Sequence, residues 1–254
     1  MKPLIKKHLL ILAFPVILFS GCAELNSLMQ SVPMDAPLTE SEVVQGLKEA
    51  LIEGSKNSSS ILSAVNGYYG DAMVKILLPP EASVIIDNLS KIPGGEKLVE
   101  DVVLRINRAA EDAAKEVAPI FINSIQQMTI QDAFGILRGA DNAATQYLSN
   151  TTRIELYNLY KPKIQQSTEK DILGGVSTKE SWETLTGKWN LVANSVAGKL
   201  AGFSPVNTDL DDYLTNRALD GMFLKVEIEE KKIRENVSAR VTPLLKKVFG
   251  SLDS

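Results

Sequence analysis

The chain has 254 residues, with a single histidine, His8, and a single cysteine, Cys22, both in the first 22 positions. That scarcity closes Ser-His-Asp triads, Cys-His dyads and imidazole or thiolate zinc sites to everything beyond residue 22. With 27 basic residues against 31 acidic ones the formal charge is −4, and an acidic balance argues against nucleic acid or an anionic bilayer surface as a partner.

The elements begin with a leader. Lys2, Lys6 and Lys7 precede the apolar run Leu9–Phe19, which is interrupted by Pro15 and followed by Ser20-Gly21-Cys22. This is the pattern of a signal peptide over residues 1–21, because a spanning helix needs about 20 apolar residues. Leu18-Phe19-Ser20-Gly21-Cys22 resembles a bacterial lipobox, so Cys22 is expected to be the acylated (palmitate-type) first residue of the processed protein. Ala23, rather than aspartate, follows it and favours the outer membrane, with the domain facing the periplasm. Residues 22–38 carry Pro33 and Pro37 without a sustained period and read as a tether. Without the leader, the charge is 24 basic against 31 acidic residues, a net −7.

Helical signals dominate the remainder. Thr39 and Glu42 form a capping box opening a helix with Val43, Leu47 and Leu51 on one stripe, and Gly54 is expected to close it. Asn57–Ser60 reads as a Ser-rich connector. Tyr68–Leu78 is the one non-helical candidate, either a short strand or an extended cover. Pro80 suits a first helical turn reaching about Ser90, and Pro93-Gly94-Gly95 breaks it. A long helix from Glu96 to about Val117 carries Leu98, Val102, Ile106, Ala109 and Ala113, with Pro119 ending or kinking it. Asp132 caps a helix over Ile130–Leu137, and Asp141 caps Asn142–Leu148. Thr152 with Glu155 suggests a further capping box before Leu156, Tyr160 and Pro162. Ser177 with Glu180 opens a helix with Trp182, Leu185, Trp189, Val192 and Val196 inward. The last long helix starts near Thr208 and buries Leu210, Leu214, Met222, Phe223, Val226 and Ile233. Its outer face is expected to carry Glu227 with Lys231 and Glu230 with Arg234. Leu244, Leu245, Val248 and Phe249 form a terminal helix ending at Gly250. The fold class is all-α, a single multi-helix bundle over 39–250 with one short extended or β segment near 69–78.

Several blocks point to a family. They are Ile106-Asn107-Arg108-Ala109-Ala110-Glu111, Gln127-Met128-Thr129-Ile130 with Asp132-Ala133, Ala143-Ala144-Thr145-Gln146-Tyr147, Asp209–Thr215 and Ala218–Phe223 running on to Glu229–Arg234. In this order, over residues 39–250, they resemble the bacterial family known as domain of unknown function 4197. The resemblance implies a mostly helical, exported, often lipidated protein and carries no activity with it.

The same blocks supply the candidate site residues. Asn107, Arg108, Glu111, Asp132, Asp141, Thr145, Tyr147, Asp211, Asp212, Glu230 and Arg234 would form a polar pocket between helices if they converge. The competing reading makes the aspartates helix caps and the arginines inter-helix ties. Asp209–Leu214 lacks the sixth-position glycine of a calcium loop. Ser167-Thr168-Glu169-Lys170 lacks the partner motifs of a serine–lysine enzyme. Neither a metal nor a cofactor is expected. The favoured function is a non-catalytic, lipid-anchored binding or envelope-interaction module, with the membrane as one partner and an envelope protein or small ligand as another. A carboxylate-dependent hydrolase or transglycosylase acting on envelope glycan is the alternative, since paired acids need no histidine. A carrier of an apolar envelope molecule is the third reading.

Overall fold

Helix α1 (Glu40–Leu62) opens with the capping box the sequence carries. Thr39 Oγ1 accepts from the Glu42 N–H at 3.2 Å, and Glu42 Oε2 accepts from the Thr39 N–H at 2.9 Å. The computed structural model describes residues 36–206 and 209–253, so the expected leader, lipobox and Cys22 anchor, and the expected tether through residue 35, lie outside the described residues. Pro37–Ser254 form one compact unit. Its core is drawn from its own helices, which is what a segment needs to fold alone.

Helix α1 passes straight through Gly54 and Asn57–Ser60, so neither a stop nor a connector exists there. Gly46, Gly54, Ser55, Ser58 and Ser59 form a buried face of small residues along it. A Cβ on Gly54 would stand 3.4 Å from Glu229 Cβ, and Ser59 Oγ donates to Ala114 O at 2.7 Å. Small polar residues that read as a loop are here what permits close helix approach.

Residues 66–79 form turns and an extended strap with no strand. A 3₁₀ turn (Pro80–Ala82), the short α2 (Ser83–Ile86) and a second 3₁₀ turn (Leu89–Lys91) replace the single helix expected from Pro80. Helix α3 (Gly95–Ala113) ends in a 3₁₀ turn (Ala114–Glu116), and α4 (Val117–Gln127) resumes with Pro119 in its first turn, where its missing N–H costs nothing. Asp132 caps α5 (Ala133–Leu137), accepting from the Gly135 N–H at 2.8 Å.

Helix α6 (Ala143–Glu169) is one element where two were expected, and Pro162 sits inside it. Its buried residues include Ala144, Leu148, Thr152, Leu156, Tyr160, Ile164 and Thr168, a strict spacing of four. Four residues advance 400°, so this stripe drifts about 40° per step and winds around the helix. That drift hides the helix from a one-face reading and lets it touch α3, α4, α5, α7 and α9 in turn. Thr152 is no cap; its hydroxyl donates to Leu148 O at 2.6 Å. Pro162 is exposed and so is Asn158, whose carbonyl loses its helical donor there; water can take the place of that donor.

Helix α7 (Thr178–Asn194) begins at the Ser177–Glu180 capping box and buries Trp182 and Trp189. It ends before Val196, which belongs instead to α8 (Val196–Leu200). Helix α9 (Leu210–Glu235) is the central strut, packed between α1 and α6, while α3 and α7 pack on each other and on α6. A 3₁₀ turn (Val237–Ala239) and α10 (Pro243–Gly250) close the chain against α1. The described residues are an all-α domain, and none of their helices is long and apolar enough to cross a membrane.

Candidate functional site

The polar residues singled out from the sequence fall into three separate places. The first ties the strap to α3. Asn107, fully buried, accepts from the Ile76 N–H at 2.9 Å and donates to Ile76 O at 2.7 Å, offering one residue of the strap both halves of a strand-like pairing. Glu111 Oε1 accepts from the N–H groups of Tyr68 and Tyr69 at 3.2 and 3.1 Å, while Oε2 faces Arg108. Arg108 reaches on to Asn66 Oδ1 at 2.8 Å, and Asn66 holds a left-handed φ of 68°. Tyr68 then donates to Ala218 O on α9 at 2.8 Å.

The second place is a buried clamp. Glu230 and Arg234, expected on the outer face of α9, are only 1% and 7% exposed. Asn142 gives α6 no side-chain cap. Glu230 supplies one from another helix, accepting from the Ala144 N–H at 3.0 Å, the Thr145 N–H at 2.7 Å and the Thr145 hydroxyl at 2.7 Å. A carboxylate there satisfies donors that a helix start leaves open and suits its positive end. Arg234 bonds Glu230 at 2.9 Å and donates to Leu137 O and Ile136 O, the last carbonyls of α5. Arg240 continues the chain of contacts, donating to Ile233 O and Arg234 O and pairing with Asp253. Asp132 caps α5, Tyr147 donates to Thr129 O, and exposed Asp141 pairs with Lys231 at 2.8 Å. Lys231 also pairs with Glu235, and Glu227 takes no part in either bridge.

The third place is concave. A cleft of about 380 Å³ opens along the N-terminal half of α9, lined on that helix by Asp209, Asp212, Tyr213, Asn216, Arg217 and Asp220, with Glu81 and Arg153 on its walls. A hollow of about 260 Å³ adjoins it through Asp209, and one of about 150 Å³, walled by the strap, adjoins it through Arg217 and Asp220. The three hollows lie side by side along α9, and the main cleft is the groove that carries the charges. At one end Asp212 accepts from the Tyr157 hydroxyl, and Lys161 lies 3.6 Å from Asp212 and 3.7 Å from Asp209. Burial and the Asp212 acceptor raise the Tyr157 pKa, so the phenol keeps its proton. The Tyr157 contact and the two aspartates hold Lys161 above the usual lysine range despite burial. At the other end Asp220 bridges Arg153 at 2.6 Å and Arg217 at 3.3 Å. The guanidiniums also lie 5.7 Å from the Phe223 ring and 5.8 Å from the Tyr213 ring. Asp211 accepts from Thr168 on α6 at 2.7 Å.

The model of the family described as "Protein of unknown function (DUF4197)" matches residues 37–250. The chain belongs to the DUF4197 family. No curated protein matches it, and no solved structure does.

Of the sequence-selected residues of this DUF4197 domain, only Asp212 lines the main cleft, and Asp211 lines the hollow beside it. Glu81, Arg153, Tyr157, Lys161, Arg217 and Asp220 were not selected. A signal was available: Asp209, Asp212, Tyr213, Asn216, Arg217 and Asp220 recur every three or four residues, a polar stripe on a helix whose opposite side is core.

Two guanidiniums share Asp220 at the Arg153–Arg217 end, and Glu81 is a further acid on the cleft wall. Two carboxylates share one ammonium at the Asp209–Asp212–Lys161 end, which leaves −1. Asp212 and Asp209 precede Arg217 by five and eight helical residues, about 8 and 12 Å. The cleft thus sets aspartates apart from arginines along one helix, with hydrogen-bonding walls between them, and is suited to holding a ligand of matching charge pattern. The acids that are shifted, Glu42, Asp71, Asp112, Asp141, Glu180 and Asp253, all move down, toward the ionised form. Among the described residues no group of three or more metal-ligating side chains could hold an ion.

Proposed function

We propose that this DUF4197 domain is a non-catalytic binding module, carried on the outer membrane by acylated Cys22, that holds a short extended segment of mixed charge in the α9 groove. One observation carries the reading: a cleft on α9 that gathers two aspartates toward one end and two arginines toward the other, about 8–12 Å apart along the helix, the span of roughly two to four extended residues. A cationic group would sit by Asp209 and Asp212 and an anionic one by Arg153 and Arg217. The charged lining supports a polar ligand over an apolar cargo.

The test is photo-crosslinking in the native envelope from a reactive residue in place of Asn216, against a control at exposed Gln45 on α1. A discrete adduct from position 216 that weakens in Arg217→Gln and Asp212→Asn supports the groove. Identical adducts from both positions would remove it. For the anchor, Cys22→Ser should move the protein from membrane to soluble fractions, and continued membrane attachment would refute acylation.

A further inference from the structure

The far end of α7 carries an exposed apolar tip that has no role in the groove. Leu191 is 77% exposed, Val196 79% and Leu200 85%, all within ten residues. Their exposure follows from how α8 is held. Ser195 breaks α7, and its hydroxyl caps Gly198 at 3.0 Å. Gly198 lies so close to α7 that a Cβ there would stand 2.1 Å from Val192 O. With Gly198 turned inward, Val196 and Leu200, two residues to either side and four apart, fall on the outward face. Beneath them Trp189 packs on Phe203 with ring centroids 5.2 Å apart, and Trp189 Nε1 donates to Ser204 O at 3.0 Å, so the tip stands on a firm base.

The acidic balance of the whole chain disfavours an anionic bilayer, but the segment that forms this tip departs from it. Residues 184–208 contain no aspartate or glutamate in a chain with 31 of them, and Lys188 and Lys199 are exposed there. Lys91 adds a third ammonium, 4.5 Å from the Phe203 ring centre. Three apolar side chains offer a few hundred square ångströms, well below the roughly 800 Å² that each partner of a stable protein pair buries. A bilayer interface asks for less. It accepts a few apolar side chains at the headgroup boundary, while lysines beside them meet the negative surface of anionic lipids.

We infer that the α7–α8 tip is a membrane-contact site, in which Leu191, Val196 and Leu200 enter the headgroup boundary of an anionic bilayer and Lys188, Lys199 and Lys91 hold it there. Such a contact would fix how an anchored domain stands on its membrane, and it depends on neither the groove nor Cys22.

Residues 37–254 contain no cysteine, so this self-contained unit takes a single reporter. Leu200→Cys carrying an environment-sensitive dye is mixed with phosphatidylethanolamine–phosphatidylglycerol vesicles. Ile154→Cys, at an 80% exposed apolar position on α6, is the control. A blue shift at position 200 and none at 154 is expected. Binding should weaken roughly fivefold for each lysine neutralised, tested with Lys188→Gln and Lys199→Gln. It should weaken by at least about tenfold in Leu191→Ser/Val196→Ser/Leu200→Ser, whose helical signal should be unchanged because the three side chains are outside the core. No shift at position 200, or equal shifts at both positions, would overturn the inference. A shift produced by raising protein concentration without vesicles would assign the tip to a second copy of the chain and overturn it equally.

Discussion

Replacing Glu230 with alanine removes one side chain and breaks two helix ends at once. The carboxylate takes donors from Ala144, Thr145 and Arg234, and its removal leaves the start of α6 uncapped and a buried guanidinium without its counter-charge. Losing one partner of a buried ion pair costs about 3–5 kcal/mol, and losing an N-cap about 0.5–2. Because one carboxylate serves both roles the costs overlap, and we expect about 4 kcal/mol. For a domain of this size that lowers Tm by roughly 8–16 °C. Glu230→Gln keeps the shape and one acceptor and should lose about half as much. Urea titrations of both variants at neutral pH measure the difference directly. In a double-mutant cycle, Arg234→Met added to Glu230→Ala should cost at least about 1 kcal/mol less than the sum of the singles, since each removes the other's burden. A loss below about 1 kcal/mol for Glu230→Ala would refute the clamp and restore the outer-face helical pair, worth a few tenths.

Gly46 on α1 faces Val248 of α10, where a Cβ would come within 2.7 Å of Val248 Cγ2. Gly46→Ala should therefore cost about 1–3 kcal/mol in denaturant melts; if the close approach is the cause, adding Val248→Ala recovers part of the loss, and failure to recover would place the cause elsewhere. Gly221→Ala would bring a Cβ 2.8 Å from the Tyr68 ring, so it should loosen the strap and speed amide exchange at Tyr68, Tyr69 and Ile76; unchanged exchange would refute the packing. Burial alone would raise the Asp112 pKa, but bonds from Lys170, Lys115 and Ser167 hold it at about 2 rather than 3.8. Lys247 and the Thr39 N–H hold Glu42 at about 2 rather than 4.5. Both pKa values are depressed by folding, so the stability they provide is complete above the ordinary values and is lost as pH falls through about 2. Asp112→Asn or Glu42→Gln should flatten the stability curve between about pH 4.5 and 2; a wild-type curve already flat across that window would refute both assignments.

Much of the architecture was legible from local chemistry. The capping boxes at Thr39–Glu42 and Ser177–Glu180, the Asp132 cap and the apolar stripe of α9 depend on residues within one or two turns of each other, so their spacing is enough to reveal them. The same logic misplaced α6. A stripe that repeats every four residues leaves any fixed face within three turns, and Pro162 with the Thr152–Glu155 pair then imitates a boundary. It misplaced the end of α1 as well, because Gly54 and Ser55–Ser60 earn their meaning from α9 and the 3₁₀ turn at Ala114, far along the chain.

The exclusion set by His8 and Cys22 and the all-helical character are properties of composition and short-range pattern, and no tertiary contact alters them. The placement of the charged residues is different. Glu230 and Arg234 have the spacing of any solvent-facing helical pair, and they become a buried clamp because the start of α6 and the end of α5 arrive beside them. Asp220 gains its two arginines from α6 and α9, and the groove exists because the strap and Pro80–Ala82 turn over one side of α9. A charge on a helix has its energy set by what else occupies its surroundings. For these residues, the occupants brought in by other helices lie 67–97 positions away in the chain.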